Sequence, residues 1–187
     1  MILAWIIYLC FLLFLTFLMF LLFLELFLDV FGKKVPYVRS ETKSIQIVLE
    51  NINPEQGQIL YDFGAGDGKF LNQLTKKFPN IKAVGFEKSP GPYLYAKLLK
   101  LFRPNRKYKI LFKNFYKIDI SKVDYVYCFL YPHYMKNLIS KFESELKPGA
   151  IVISNTFPIK QWAPIKTISI KNSKPTSNWG KIFIYQR

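Results

Sequence analysis

The stretch Ile59-Leu60-Tyr61-Asp62-Phe63-Gly64-Ala65-Gly66-Asp67-Gly68-Lys69-Phe70 decides the fold. An apolar run ends in three glycines at alternate positions, and a helical pattern with Phe70, Leu71 and Leu74 on one face follows at once. That order reads as a strand, a glycine turn and a helix start. The spacing is G-x-G-x-G, so the third glycine comes one residue too early for the dinucleotide fingerprint G-x-G-x-x-G. No Gly-Lys-Ser/Thr follows, which excludes a phosphate loop of that type. Asp62, just before the turn, would repel a pyrophosphate. It suits a cationic ligand, such as one carrying the amino and sulfonium groups of S-adenosylmethionine. Gly64, Gly66 and Gly68, with the small Ala65 and with Asp67 between them, let the backbone pass close to that ligand. Nineteen residues after Gly68, Glu87 closes the next apolar run, where an acid can hold both hydroxyls of a ribose.

Outward from this turn, strands and helices alternate. Patterning predicts helices over 40–51, 69–78, 92–102 and 134–146, and strands over 58–63, 81–86, 109–112, 123–130 and 150–155. Two last strands, 167–171 and 181–186, flank a loop rich in Lys, Asn, Ser and Pro. Such alternation implies an α/β fold with a mostly parallel sheet covered on both faces, and the terminal pair adds an antiparallel edge. Ligands of these sheets lie at the carboxyl ends of the strands. Those ends are 62–68, Glu87, the Asn114-Phe115 step and Leu130-Tyr131-Pro132. Asn114 is either an acceptor for an adenine amino group or a turn residue, and Phe115 is placed to lie on the ring. Tyr131 and Pro132 line a methyl-acceptor pocket or are packing. His133 is a candidate base or an exposed residue at a helix start.

Of 187 residues, 27 are Lys or Arg and 12 are Asp or Glu, a formal net charge of +15. None of these charges falls in the first 24 residues, where 2–24 is a Leu/Phe/Ile run softened only by Trp5, Tyr8, Cys10 and Thr16. As a helix that run is roughly 35 Å long, enough to cross ~30 Å of hydrocarbon. It lacks the basic start and small-x-small site of a cleaved signal peptide. The expected organisation is a transmembrane anchor over 1–24, a basic juxtamembrane linker over 25–39, and a domain over 40–187. Lys33, Lys34, Arg39 and Lys43 follow the span, which places the domain on the cytoplasmic side. Two Cys and one His argue against a disulfide scaffold, a Cys-based zinc site and a His-dependent triad. Lys97, Lys100 and Arg103 recur at i, i+3, i+6 on a helix whose other face holds Leu94, Leu98, Leu99 and Phe102. That stripe suits anionic lipid headgroups. The charge would also permit RNA, but no nucleic-acid module accompanies it, and 23 Lys beside abundant Ile, Phe, Asn and Tyr also fit a compositional origin.

The run Asp62-Phe63-Gly64-Ala65-Gly66-Asp67-Gly68 with Glu87 resembles the class I, seven-stranded S-adenosylmethionine-dependent methyltransferases. Val35-Pro36-Tyr37-Val38, Phe129 and Pro132 with Met135, and Phe157-Pro158 with Trp162 narrow the resemblance. They are similar to the membrane-anchored lysine methyltransferases that act on the c-subunit of ATP synthase and the adenine nucleotide translocase, with their prokaryotic relatives. The resemblance implies a Rossmann-like sheet behind one transmembrane helix, S-adenosylmethionine as cofactor and a lysine of a membrane protein as acceptor. Tyr131, Phe157 and Trp162 would then steady the growing cation. The alternatives are a lipid or quinone-like acceptor, or a non-catalytic membrane module that only binds S-adenosylmethionine.

Overall fold

The computed structural model describes residues 2–31, 38–102, 106–170 and 180–187. Lys33, Lys34, Val35-Pro36-Tyr37, Arg103 and the 171–179 part of the terminal loop therefore lie outside the described residues. The chain divides into two units, Met1–Val38 and Arg39–Arg187.

The first unit contains α1 (Ile2–Phe31). Its segment Ile2–Glu25 has a mean hydropathy of 2.9 over 24 residues and buries none of its apolar side chains. A helix bonds its backbone groups internally, as hydrocarbon demands. By length and composition it is able to cross a bilayer. The helix runs on past Leu24, so 25–31, expected as linker, are helical instead. No Pro or Gly interrupts the sequence before Gly32.

In the second unit, β1 (Ile59–Phe63), β2 (Lys82–Glu87), β3 (Tyr108–Phe112), β4 (Tyr125–Cys128), β5 (Ile151–Asn155), β6 (Lys166–Ser169) and β7 (Lys181–Gln186) form one sheet. Their order is β3-β2-β1-β4-β5-β7-β6. Strands β1 to β5 pair in parallel, and β7 lies antiparallel between β5 and β6. The chain leaves β1 toward β2 on one side and returns as β4 on the other. This topological switch opens a crevice at the carboxyl end of β1.

The two-residue period of each strand feeds two cores. Leu60, Tyr127 and Ile153 pack under α2 (Thr42–Glu50) and α3 (Lys69–Lys77), while Phe63, Val126, Cys128 and Val152 pack under α5 (Pro132–Glu145). Burial on both faces explains why these strands read as continuous apolar runs. Leu60, Leu71 and Leu74 are fully buried, each contributing about 1.5–3 kcal/mol. Gly85 on β2 allows the close approach of the glycine turn. A Cβ there would lie 2.5 Å from that of Ala65 and 2.7 Å from Leu71 Cδ1. At the amino ends of the strands, Asp124 accepts from the Ile59 amide at 2.7 Å and from Lys147 Nζ at 2.6 Å.

Two elements depart from expectation. Strand β4 stops at Cys128, short of the expected Leu130, and α5 starts at Pro132, whose fixed φ and missing N–H suit a first helical position. Helix α4 (Pro90–Leu101) buries only Ala96, and Leu94, Leu98, Leu101 and Phe102 are exposed.

Candidate active site

The turn after β1 is built from three glycines with positive φ: Gly64 at 79°, Gly66 at 54° and Gly68 at 75°. At Gly68 both backbone and space demand glycine. A Cβ there would stand 2.6 Å from Ile110 Cδ1 and 2.9 Å from Tyr108 Cε2, besides the cost of a left-handed conformation. The amides of Gly64 and Ala65 both donate to the Phe86 carbonyl, at 2.9 and 3.1 Å, which pins the turn to β2. Gly68 offers no side chain to cap α3. Asp67 does this instead, its Oδ1 accepting from the Lys69 amide at 3.1 Å.

Asp62, Asp67 and Glu87 meet here, exposed by 3%, 4% and 6%. They are the only buried ionisable carboxylates among the described residues. Burial, and then the charges of Glu87 and Asp67, raise the Asp62 carboxyl well above its ordinary range. Glu87 accepts from the Gly66 amide through Oε2 at 3.0 Å, and from the Lys88 and Ser89 amides through Oε1 at 2.9 and 2.8 Å. A carboxylate has about four acceptor positions, so one remains for a ligand hydroxyl. Arg39, expected as part of the basic flank of the span, forms an ion pair with Asp67. The neighbouring Ser40 carbonyl accepts from Lys69 Nζ at 2.7 Å. Residues 39–40 thus strap the glycine turn.

Asn114 follows β3, and its Oδ1 accepts from the Tyr116 amide at 3.1 Å. It caps a 3-10 turn, Phe115–Lys117, with one lone pair left over. Phe115 requires a correction. Its ring stacks on Phe63 with centroids 5.2 Å apart and is 2% exposed, so it belongs to the core and offers no free face to an adenine.

Across the crevice, Tyr131 and Phe157 stack at 5.4 Å, which joins the ends of β4 and β5 in one aromatic wall. Pro132 begins α5 behind Tyr131. His133 is exposed and lies on Tyr134. Trp162, expected with the aromatic wall, packs instead on Phe142 and Tyr185 and donates to Glu143 at 3.1 Å.

Sequence reasoning missed a buried network beneath the turn. Tyr127 pairs in register with Asp62, stacks on Phe70 at 3.8 Å, and its hydroxyl accepts from Asn155 Nδ2 at 3.1 Å. The same hydroxyl lies 3.3 Å from Ser40 Oγ, to which its proton is then free to go. Burial pushes the Tyr127 hydroxyl up, against the lowering by Ser40 and Asn155, so it stays protonated. Thr156 next to Asn155 has φ 73°, the only positive value for a non-glycine among the described residues. Strain of this kind costs on the order of 1–3 kcal/mol and gathers at functional sites. The one sequence signal was the polar Ser154-Asn155-Thr156 ending of an apolar strand.

Glycines that admit a ligand to the backbone, a buried acidic cluster and one free acceptor on Glu87 together fit a molecule with two cationic groups and a ribose. With the strand order, they define a class I S-adenosylmethionine-dependent methyltransferase. The fold is shared with an RNA methyltransferase from Salinibacter ruber solved with S-adenosyl-L-homocysteine (TM-score 0.70, 21% identity, 80% of this chain and 93% of that one). A family model, the ANTKMT methyltransferase domain, matches residues 62–166. The chain belongs to that family, and its cofactor is S-adenosylmethionine. It is 35% identical over 141 residues to a protein-lysine N-methyltransferase of Saccharolobus islandicus, covering 74% of this chain and 86% of the relative. It is 32% identical over 135 residues to the ATP synthase C-subunit lysine N-methyltransferase of Xenopus laevis, covering 70% and 57%. For the adenine nucleotide translocase lysine N-methyltransferase of Mus musculus the values are 28% over 138 residues, 72% and 58%. The chain therefore spans a little over half the length of these two animal relatives.

Proposed function

We propose that the enzyme N-methylates a lysine of a membrane-associated protein, with α1 as its anchor and the catalytic domain on the cytoplasmic side. The observation that carries the acceptor is the 35% identity to a protein-lysine N-methyltransferase across most of both chains. The anchor is supported by the 24-residue apolar segment of α1, and the membrane-held acceptor by the substrates for which the two animal relatives are named.

S-adenosylmethionine supplies a methyl group on a sulfonium, with its leaving group already installed. The protein has to hold that cation and align a neutral amine with it, and positioning alone provides much of the acceleration. In this reading the backbone of Gly64–Gly68, Asp62, Glu87 and Asn114 hold the cofactor. Tyr131 and Phe157 line the approach of the lysine. A free lysine amine has a pKa of about 10.4, and its partial desolvation against two aromatic rings favours the neutral nucleophile. Their faces then favour the methylated cation over water. No side chain is required as a general base.

Mass spectrometry of membrane proteins from cells with and without the gene tests the reading. The expected result is an N-methyllysine on a membrane protein that disappears on deletion and in Asp62→Ala. Labelled methyl groups recovered only in the organic extract of native membranes would assign the acceptor to lipid or quinone and overturn the lysine.

A further inference from the structure

We infer that α4 is an interfacial helix whose exposed apolar face inserts into an anionic lipid bilayer. The inference rests on the reading of the enzyme as membrane-bound and adds to it a second contact, made by the catalytic domain itself.

In a soluble α/β domain the helices over a sheet bury their apolar stripe. Helix α4 does the reverse. Ala96 is its only buried residue, whereas Leu94 is 62% exposed, Leu98 50%, Leu101 74% and Phe102 74%, with Tyr95 at 51%. At 100° per residue these five side chains fall within an arc of about 120°, opposite Ala96. Off the edge of this arc the half-buried Tyr93 lies with its ring 5.1 Å from that of Phe112, which is 53% exposed at the end of β3. An exposed apolar helix face of this kind marks an interaction site.

Charge decides the partner. From Lys88 to Ile118 the sequence holds nine Lys or Arg and no Asp or Glu. Lys97 borders the stripe, its Nζ 5.4 Å from the Tyr93 ring, whereas Lys100 falls beside Ala96 on the domain side of the helix, with Nζ 3.5 Å from the Tyr108 carbonyl. A second copy would bring two such cationic faces together. RNA would leave the leucines unsatisfied. An anionic bilayer accepts both features, with the apolar arc among the acyl chains and the lysines at the headgroups. Helix α4 starts three residues after Glu87, so the patch begins beside the cofactor end of the sheet and docking would hold the crevice close to the membrane surface.

The test uses the full chain in Cys10→Ser form, leaving the buried Cys128 in place, with an environment-sensitive fluorophore on Leu98→Cys or, as control, on the exposed Ser144→Cys of α5. The protein is reconstituted in phosphatidylcholine vesicles with or without phosphatidylglycerol, with nitroxide-bearing acyl chains as quenchers. The expected result is quenching at Leu98 but not at Ser144, dependent on phosphatidylglycerol. Lys97→Gln should lower the docked-to-undocked ratio roughly fivefold, and Lys100→Gln, on the opposite side of the helix, should change it less. A Leu98 label as open to water as the Ser144 label overturns the inference, as does shielding that follows protein density rather than lipid charge. Alkaline carbonate extraction of the same vesicles separates the two readings. Retained protein with an unquenched Leu98 label refutes α4 docking and leaves the anchor. Released protein whose Leu98 label had been quenched refutes the anchor and leaves α4 docking.

Discussion

Binding of S-adenosylmethionine should expel a proton, and Asp62→Asn should abolish the effect. The Asp62 carboxyl is 3% exposed, and burial first, then Glu87 and Asp67, holds its pKa well above 3.8. In the ligand-free protein the neutral acid is therefore favoured by the fold. Its contribution to stability is whole below 3.8 and is lost as pH climbs through the raised value. The amino and sulfonium charges of the cofactor favour the carboxylate and draw that pKa down again. Between the lowered and the raised values, binding releases at most one proton. Affinity should then rise by up to roughly tenfold per pH unit across the window and level off on either side. Calorimetry on the full-length protein in detergent, in two buffers of different ionisation enthalpy from mildly acidic to mildly alkaline pH, reads the proton number directly. S-adenosylhomocysteine, with a neutral sulfur, should release fewer protons. A proton number of zero at every pH, or one unchanged in Asp62→Asn, would refute the reasoning.

Gly68→Ala adds a left-handed alanine, about 1–2 kcal/mol, to a clash with the buried Ile110 and Tyr108, about 1–3 kcal/mol. Gly57→Ala, at φ +85° with open space around it, should lose only the first part, and equal shifts of the denaturant midpoint would contradict the packing argument. Glu87→Gln exchanges one acceptor oxygen for a donor where three backbone amides and, in the proposed reading, a ribose hydroxyl compete. Cofactor affinity should fall roughly 10- to 100-fold, read by the same calorimetry. Tyr127→Phe strands the buried Asn155 amide and should cost about 1–3 kcal/mol of stability, measured by denaturant unfolding.

The glycine turn, the acid nineteen residues on, the apolar strands and the membrane-length helix were legible in the sequence because each is a local pattern. Glycine spacing reports φ, a continuous apolar run reports burial on both faces, and a run of more than twenty apolar residues reports a helix long enough to cross a bilayer. The tertiary structure decided matters that depend on residues far apart in the chain. Arg39 and Ser40 read as a basic flank and a helix start, and they became a strap over Asp67 and Lys69. Tyr127 read as one more apolar strand residue, yet the fold brings Asn155 and Ser40 to its hydroxyl. Phe115 and Trp162 look alike as pocket aromatics in sequence, and only packing put Phe115 in the core and Trp162 against its edge. Helix α4 carries an amphipathic repeat like that of α3, and the repeat does not say which face meets the sheet. Ala96 is the residue of α4 that is buried, and Leu94, Leu98 and Leu101 point outward. Local patterns specify elements through backbone and side-chain chemistry within a few residues, whereas a site is assembled by contacts whose sequence separation carries no pattern at all.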